Sequence, residues 1–417
     1  MAHICLITIG DELLKGRVVN TNATRAAEIL RARGYTLDRV VTISDTRSAI
    51  LDTVQAELAA HDVVLMCGGL GPTRDDITKY TLAALFGGEM VCHQPTLAFL
   101  EARAQARNRP LNDLTRGQAW VPDTCEVVLN TQGTAPGMYF RQGTKQVFAM
   151  PGVPFEMLYM LEHGVMPLIE AAWPPDAFRY RIVRLAEIPE SDIARRMETL
   201  EPAYPEGLAV SYLPRIDGVW LEMTLRYPAD RAAEADEKVA AIAARVEALF
   251  ADKRYASGGE PLPYLLAEAL RTRSLTLAVA ESLTGGQVAA LVVSVSGASH
   301  FFKGSVTAYD PAIKISLLQV PAELIAEHTV VSGPVASAMA AGVRHLLGTD
   351  IGIATTGLAE ADGERAPQAW IGYADAAGSD AKLVSLYGNR QVCIEMAAHA
   401  ALLICLKKLL GNRTDFQ

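Results

Sequence analysis

Apolar residues in the first third of the chain fall into short runs separated by stretches of helical spacing. Ile4 to Ile9, interrupted only by Thr8, and Val63 to Cys67 are apolar segments, which predicts buried strands over 4–9 and 62–67, the second ending in Gly68-Gly69. Between them the 3.6-residue spacing predicts helices over 21–33, opened by Asn20-Thr21-Asn22, and 46–60, with a strand over 36–43. The pattern continues with a helix over 94–107, a strand over 126–129, a turn at 133–137, strands over 137–140 and 145–150, and a helix over 154–169. Alternating strands and helices imply a mostly parallel sheet with helices on both faces, in a first domain spanning 1–170.

Trp173-Pro174-Pro175-Asp176 breaks the pattern and reads as a linker. Beyond it, 171–256 predicts a small α+β layer: strand 179–186, helix 190–200, strands 208–213 and 218–227, helix 229–250 and a short strand. A third unit, 257–417, begins after Gly258-Gly259-Glu260-Pro261. It predicts helix 262–272, strand 275–280, helix 285–293, strand 304–309, helices at 311–318, 321–326 and 333–346, strands at 350–356, 368–375 and 382–388, and helix 391–409. The expected fold class is therefore α/β, with a small α+β middle domain between two larger α/β domains.

The 417 residues carry 38 Lys plus Arg against 47 Asp plus Glu, a formal charge of −9, so no overall positive field draws nucleic acid or anionic lipid, and no direct nucleic-acid binding is expected. The apolar run over 275–296 is interrupted by Glu281, Gly285, Gly286 and Gln287, too early for a membrane span. The opening residues read as a core strand rather than a targeting segment, and a cytoplasmic location is expected. Cys5, Cys67, Cys92, Cys125, Cys393 and Cys405 are scattered, with no CxxC pair, and the histidines lack close pairwise spacing. Packing roles are expected for both residue types, with neither zinc nor disulfides indicated.

Two loops at strand ends carry candidate chemistry. Gly10-Asp11-Glu12 follows the first strand, and Gly68-Gly69-Leu70-Gly71-Pro72-Thr73-Arg74-Asp75-Asp76 follows the strand over 62–67. Open α/β sheets bind ligands at such carboxyl ends, where glycines allow backbone amides to approach phosphate. Asp75 and Asp76 either cap the helix that follows or hold a divalent ion over phosphate oxygens.

The blocks GDELLKGRVVNTN (10–22), GGLGPTRDDIT (68–78), GTAPG (133–137) and MPGVPFEM (150–157) resemble the molybdopterin-binding-like first domain of the CinA family of competence/damage-inducible proteins, which is similar to MoaB and MogA. The resemblance implies a MoaB/MogA-like three-layer α/β/α domain with a metal-dependent ADP-ribose pyrophosphatase activity that yields AMP and ribose 5-phosphate. It implies Asp11, Glu12, Asp75 and Asp76 as metal and water-positioning acids, Asp76 among the catalytic residues, and Mg2+ or Co2+ as the ion. It also implies that Gly68, Gly69, Gly71, Thr73, Gly133, Thr134, Ala135 and Gly137 cradle the nucleotide. Pterin-phosphate or nucleotide binding without hydrolysis stays open.

In the third unit, Ala280-Glu281-Ser282-Leu283-Thr284-Gly285-Gly286 places Ser282 on a tight turn before a helix, beside amides suited to an oxyanion. An N-cap is the alternative for such a serine. Lys314 follows Tyr309 by five residues, and in a partly apolar pocket a lysine loses its proton and serves as base to a serine. AESLTGG (280–286), the Tyr309 to Lys314 spacing, Val331-Ser332 and TTGLA (355–359) resemble the nicotinamide mononucleotide amidohydrolase domain of the same family. The resemblance implies Ser282 as nucleophile, Lys314 as base, Tyr309 as supporting donor, and Thr284, Gly285 and Gly286 as substrate-binding residues.

This chain departs from the family pattern at Leu283, Asp310-Pro311 and Glu360-Ala361, and keeps only Arg390 of the basic positions in the last helix. Glu360 adds a carboxylate expected to repel a substrate phosphate. The alternative is a degenerate third domain that serves dimerisation or regulation. Expected partners are small nucleotide substrates and a second copy of the chain in a homodimer.

Overall fold

The computed structural model describes residues 2–175, 177–227 and 231–411. Asp176 of the expected linker, and Ala229 and Asp230 at the expected start of helix 229–250, lie outside the described residues. Contacts divide the chain into two compact units, Met1–Phe178 with Arg226–Ala232, and Arg179–Leu225 with Ala233–Gln417.

The first unit is built on β1 (Ile4–Ile9), β2 (Leu37–Ile43), β3 (Val63–Cys67), β4 (Met90–Cys92), β5 (Trp120–Pro122), β6 (Glu126–Val128), β7 (Gly137–Gln142) and β8 (Lys145–Met150). Six of these form one sheet in the order β2-β1-β3-β8-β7-β6, parallel from β2 to β8 and antiparallel through β7 and β6. Every residue of β1 is buried because both faces are covered. Ile4 and Leu6 point into one core with Ala26, Leu30, Met157 and Leu161, while Cys5, Ile7 and Ile9 point into the other with Ile50, Val54 and Leu58. The pairing of β4 with β5 was not expected from sequence, since three-residue strands are too short to show a period. The helix expected over 154–169 passes through a π-helical turn at Leu161–Val165, next to Pro167, which has no amide hydrogen to give.

The second unit holds two sheets. The smaller joins β9 (Ala177–Leu185), β10 (Leu208–Arg215), β11 (Gly218–Tyr227) and β12 (Arg254–Ser257) in the order β10-β11-β9-β12. Its strand β11 alternates buried and half-buried residues, as a sheet covered on one face should. The larger joins β13 (Leu277–Glu281), β14 (Phe302–Thr307), β15 (Ile351–Leu358), β16 (Gln368–Asp375) and β17 (Gly378–Ser385) in the order β14-β13-β15-β16-β17. Here β13, β14 and β15 run parallel, and β16 and β17 complete an antiparallel edge. Separate apolar cores fill the two faces of this sheet. The chain is thus α/β throughout its larger layers.

Two expectations shift in ways that matter for chemistry. The helix expected from 285 starts at Gln287, because Gly285 and Gly286 take φ of 59° and 111° and form the turn before it. The strand expected over 304–309 ends at Thr307, so Tyr309 stands in the loop beyond it. Among the described residues no helix is long and apolar enough to cross a membrane.

Candidate functional site

In the first unit, loops leave the carboxyl ends of β1, β3 and β8. The Gly68 amide donates to the Met150 carbonyl at 3.1 Å, and the Asn22 side-chain amide donates to the Gly152 carbonyl at 2.8 Å, which ties the three loops together. A Cβ on Gly68 would lie 2.3 Å from the Ile9 carbonyl oxygen, and one on Gly69 2.1 Å from Thr78 Oγ1. Glycine is therefore required at both positions by the protein's own close packing. The Asn22 carbonyl oxygen and the Thr78 hydroxyl are buried without a hydrogen-bond partner.

The acids lie on the rim of these loops. Asp76 accepts from the Thr73 amide at 3.0 Å and the Thr73 hydroxyl at 2.5 Å, closing the turn rather than capping the helix Thr78–Phe86, whose N-cap is Ile77. The capping alternative read from sequence is not realised, because the helix begins one residue too late. The Thr73 hydroxyl and its own amide hold the exposed Asp75 carboxyl below the ordinary aspartate range. Asp11 pairs with Lys15 at 2.5 Å in the short helix Asp11–Leu14, and Glu12 folds back over Gly10. Among the described residues, no three of Asp11, Glu12, Asp75 and Asp76 bring their oxygens within 4.8 Å of one another. They form a dispersed rim rather than a preassembled cage.

Asn130, absent from the sequence reading, organises the 131–137 loop. Its side-chain amide donates to the Ala135 carbonyl at 3.0 Å and to Glu156 Oε2 at 2.6 Å, and its carbonyl accepts from the amides of Gln132 and Gly133 at 3.0 and 2.9 Å. Gly133 lies so close to Glu156 that a Cβ there would clash, and Gly137 packs against Met160. Thr134 is half-buried between them.

In the second unit, the sheet brings Ser282 and Lys314 together. The Ser282 amide donates to the Thr355 carbonyl at 2.9 Å, and the Ala308 amide donates to the Glu281 carbonyl at 2.7 Å, extending the ladder past the strand ends. Lys314, in the helix Pro311–Ser316, is 1% exposed. Its Nζ lies 3.1 Å from Ser282 Oγ, 2.5 Å from the Ala308 carbonyl and 3.3 Å from the Tyr309 carbonyl. Burial pushes its pKa below the ordinary lysine value, opposed by Asp310. A neutral amine suits these partners: two N–H groups for two carbonyls, and a lone pair for the serine hydroxyl.

Asp310 is the N-cap of that helix, accepting from the Ala312 amide at 2.7 Å, with Pro311 in the first turn. The departure at Asp310-Pro311 thus builds a sound helix start that delivers Lys314. Leu283 is buried in the apolar core, so this departure is a packing position. The Thr284 and Thr355 hydroxyls share a buried hydrogen bond at 2.7 Å.

Glu281 is the residue whose role sequence reasoning missed. It is fully buried, and its carboxylate accepts from the amides of Gly286 (2.9 Å), Val288 (3.0 Å) and Ala289 (2.9 Å). It satisfies the N-terminus of the helix Gln287–Val293, so those amides do not face an oxyanion. This corrects the expectation that the helix start serves that purpose. The turn amides of Leu283 and Thr284 have no acceptor among the described residues. The signal was present in the sequence as an acid ending a wholly apolar strand, directly before a turn and a helix.

Tyr309 is exposed and its hydroxyl lies 3.2 Å from Arg390 Nη2, so its side chain faces Arg390 while its backbone carbonyl meets Lys314. Arg390 Nη1 also donates to Glu360 at 3.2 Å. The Glu360 carboxylate expected to repel phosphate is therefore paired with a cation.

Residues 5–171 match the family described as a probable molybdopterin binding domain, and residues 260–409 match the CinA C-terminal domain. The two matches define a protein that couples a MoaB/MogA-like α/β domain to a second α/β domain of the CinA type. The CinA-like protein of Cytophaga hutchinsonii is 34% identical over 410 residues, covering 97% of each chain, and that of Gemmatimonas aurantiaca is 40% identical over 86% of this chain and 84% of its own. The solved structure of the protein CinA with unknown function from Thermoplasma acidophilum is 33% identical, covering 40% of this chain and 98% of its own with a TM-score of 0.37. The chain belongs to the CinA-like protein family.

Proposed function

We propose that this protein is a hydrolase of pyridine-nucleotide turnover whose second unit deamidates nicotinamide mononucleotide. The observation that carries the reading is Lys314 Nζ, buried and 3.1 Å from Ser282 Oγ. Lys314 takes the serine proton as Oγ attacks the carboxamide carbon, and the turn amides of Leu283 and Thr284 receive the developing oxyanion. The Lys314 ammonium then gives its proton to the departing nitrogen, which leaves as ammonia. Water, deprotonated by the same amine, cleaves the acyl-serine to release nicotinate mononucleotide. We propose Arg390, joined to Tyr309 and Glu360, as the cation that meets the substrate phosphate.

For the first unit we propose hydrolysis of ADP-ribose at the three-loop rim. Exposed carboxylate oxygens are hard donors of the kind that Mg2+ or Co2+ accepts one or two at a time, alongside substrate phosphates, so the residues fit the ion. Asp75 and Asp76, with Asp11 and Glu12 from the segment after β1, would hold it, and when bound it would neutralise diphosphate oxygens. The loops of Gly68, Gly69, Gly71 and Thr73, with 133–137, seat the nucleotide. The dispersed acids favour a second reading of this unit alone, nucleotide binding without turnover.

Ammonia release from nicotinamide mononucleotide tests the first reading. Ser282→Ala should abolish it, and an unchanged rate would refute the dyad. Formation of AMP from ADP-ribose, lost with chelator and in Asp76→Ala, separates turnover from binding in the first unit. Binding that persists without AMP would leave the second reading standing.

A further inference from the structure

A second chemistry-bearing cluster lies in the first unit, far from the loops. The helix Arg47–Ala60 presents Ile50, Val54 and Leu58 to the core face that also receives Cys5 and Ile7. The stripe continues at Glu57 and at the C-cap His61, where apolar residues would extend the packing. Both are buried, 4% and 8% exposed, and Cys5 beside them is fully buried. The donor atoms of Cys5, Glu57 and His61 all lie within 4.8 Å of one another, and among the described residues they form the one such group of three.

The arrangement carries its own supports. His61 Nδ1 is 3.0 Å from Glu57 Oε2, and Arg39 holds the other carboxylate oxygen at 3.2 Å from β2, where it is the register partner of Cys5. His61 Nδ1 also lies 3.1 Å from the Glu57 backbone carbonyl, which leaves Nε2 as the ring nitrogen free to ligate, while Arg39 fixes the carboxylate through Oε1, as second-sphere groups do around metal ligands. Burying a carboxylate and an imidazole against apolar neighbours is costly unless both are paired or coordinated. Cys5 stands about five residues before Gly10, so at the rise of a strand it is roughly 16 Å from the loop site.

We infer that Cys5, Glu57 and His61 form a binding site for a zinc-like divalent ion, with three protein ligands and a fourth position for water. One thiolate, one imidazole and one carboxylate are the ligand types zinc takes, and all three donor atoms lie within 4.8 Å of one another. Loading replaces the Cys5 thiol proton, which passes to solvent, with a metal–sulfur bond, and adds one metal–oxygen and one metal–nitrogen bond. This site runs against the packing roles expected for Cys5 and His61. The sequence concealed it because Cys5 is far from a Glu57-x3-His61 pair in which one ligand is a carboxylate.

The test uses the full chain, stripped with chelator and titrated separately with Zn2+ and Co2+. The expected result is one zinc retained per chain on dialysis, and with Co2+ a sulfur-to-metal charge-transfer band. Cys5→Ser should lose the band and His61→Gln should weaken zinc retention roughly tenfold or more. The oxygen-only rim acids cannot give the band, so the readout is independent of turnover. If either variant fails to fold, the wild-type band still decides. Absence of retained zinc, cobalt bound without the band, or a band that survives in Cys5→Ser would overturn the site.

Discussion

Replacing Glu281 with glutamine tests how the nucleophile turn is held. The carboxylate accepts three amides, two on Oε2 and one on Oε1. Glutamine with its carbonyl in the Oε2 position keeps the bonds from Gly286 and Val288, but its NH2 then faces the Ala289 N–H, donor against donor. Charge-assisted hydrogen bonds contribute about 1.5–3 kcal/mol each, and the lost negative charge at the helix N-terminus adds up to about 1–2 kcal/mol. A destabilisation of about 2–4 kcal/mol follows, since two bonds survive in weaker form. In a unit of this size each kcal/mol moves the thermal midpoint by about 2–4 °C, so Glu281→Gln should melt roughly 4–16 °C lower. Ser282 follows Glu281 directly, and misplacing it by a fraction of an ångström should slow deamidation roughly 10–100-fold. Differential scanning calorimetry and an ammonia assay read the two effects. A midpoint within about 1 °C of wild type, with turnover unchanged, would refute the clamp.

Lys314 must be neutral to accept the serine proton, and its pKa is lowered by burial. Deamidation should therefore rise with pH through that lowered value and level off above it, a limb that Lys314→Met should remove along with roughly 10²–10⁴-fold of the rate. The stability sign is the same: between the folded and ordinary lysine values the unfolded chain binds more protons, so stability grows with pH across that window, measurable by denaturant titration. Asn130→Ala leaves the amides of Gln132 and Gly133 and the Ala135 carbonyl without their partner, and should cost about 2–3 kcal/mol, read as a lower urea midpoint. An unchanged midpoint would show that the loop does not depend on it.

The sheets were legible because β1, β3 and β13 are mostly apolar and are followed by turns that contain glycine, a signal that needs no tertiary knowledge. The pairing of Ser282 with Lys314 was legible as two residue types at two strand ends, but the burial of Lys314 was not, since it depends on how the Pro311–Ser316 helix packs. Glu281 and Asn130 escaped notice because their partners are backbone amides, which every sequence has and no sequence pattern marks. The four acids of the first unit were legible as ligand types, whereas their separation onto a turn closed by Thr73 and a short helix followed by Lys15 was not. The Cys5, Glu57 and His61 group was invisible for a different reason: strand and helix periods place these side chains on one inner face, and neither element alone shows more than two of them.

The amide of Ser282 hangs from Thr355, and the segment that carries Lys314 begins with Ala308 hanging from Glu281. The sheet thus fixes the backbone of Ser282 and the start of the segment that leads to Lys314. The packing of the Pro311–Ser316 helix then sets the reach of the Lys314 side chain to Ser282. Reactivity in this unit should then appear and vanish with cooperative folding, leaving no partly ordered state that retains catalysis.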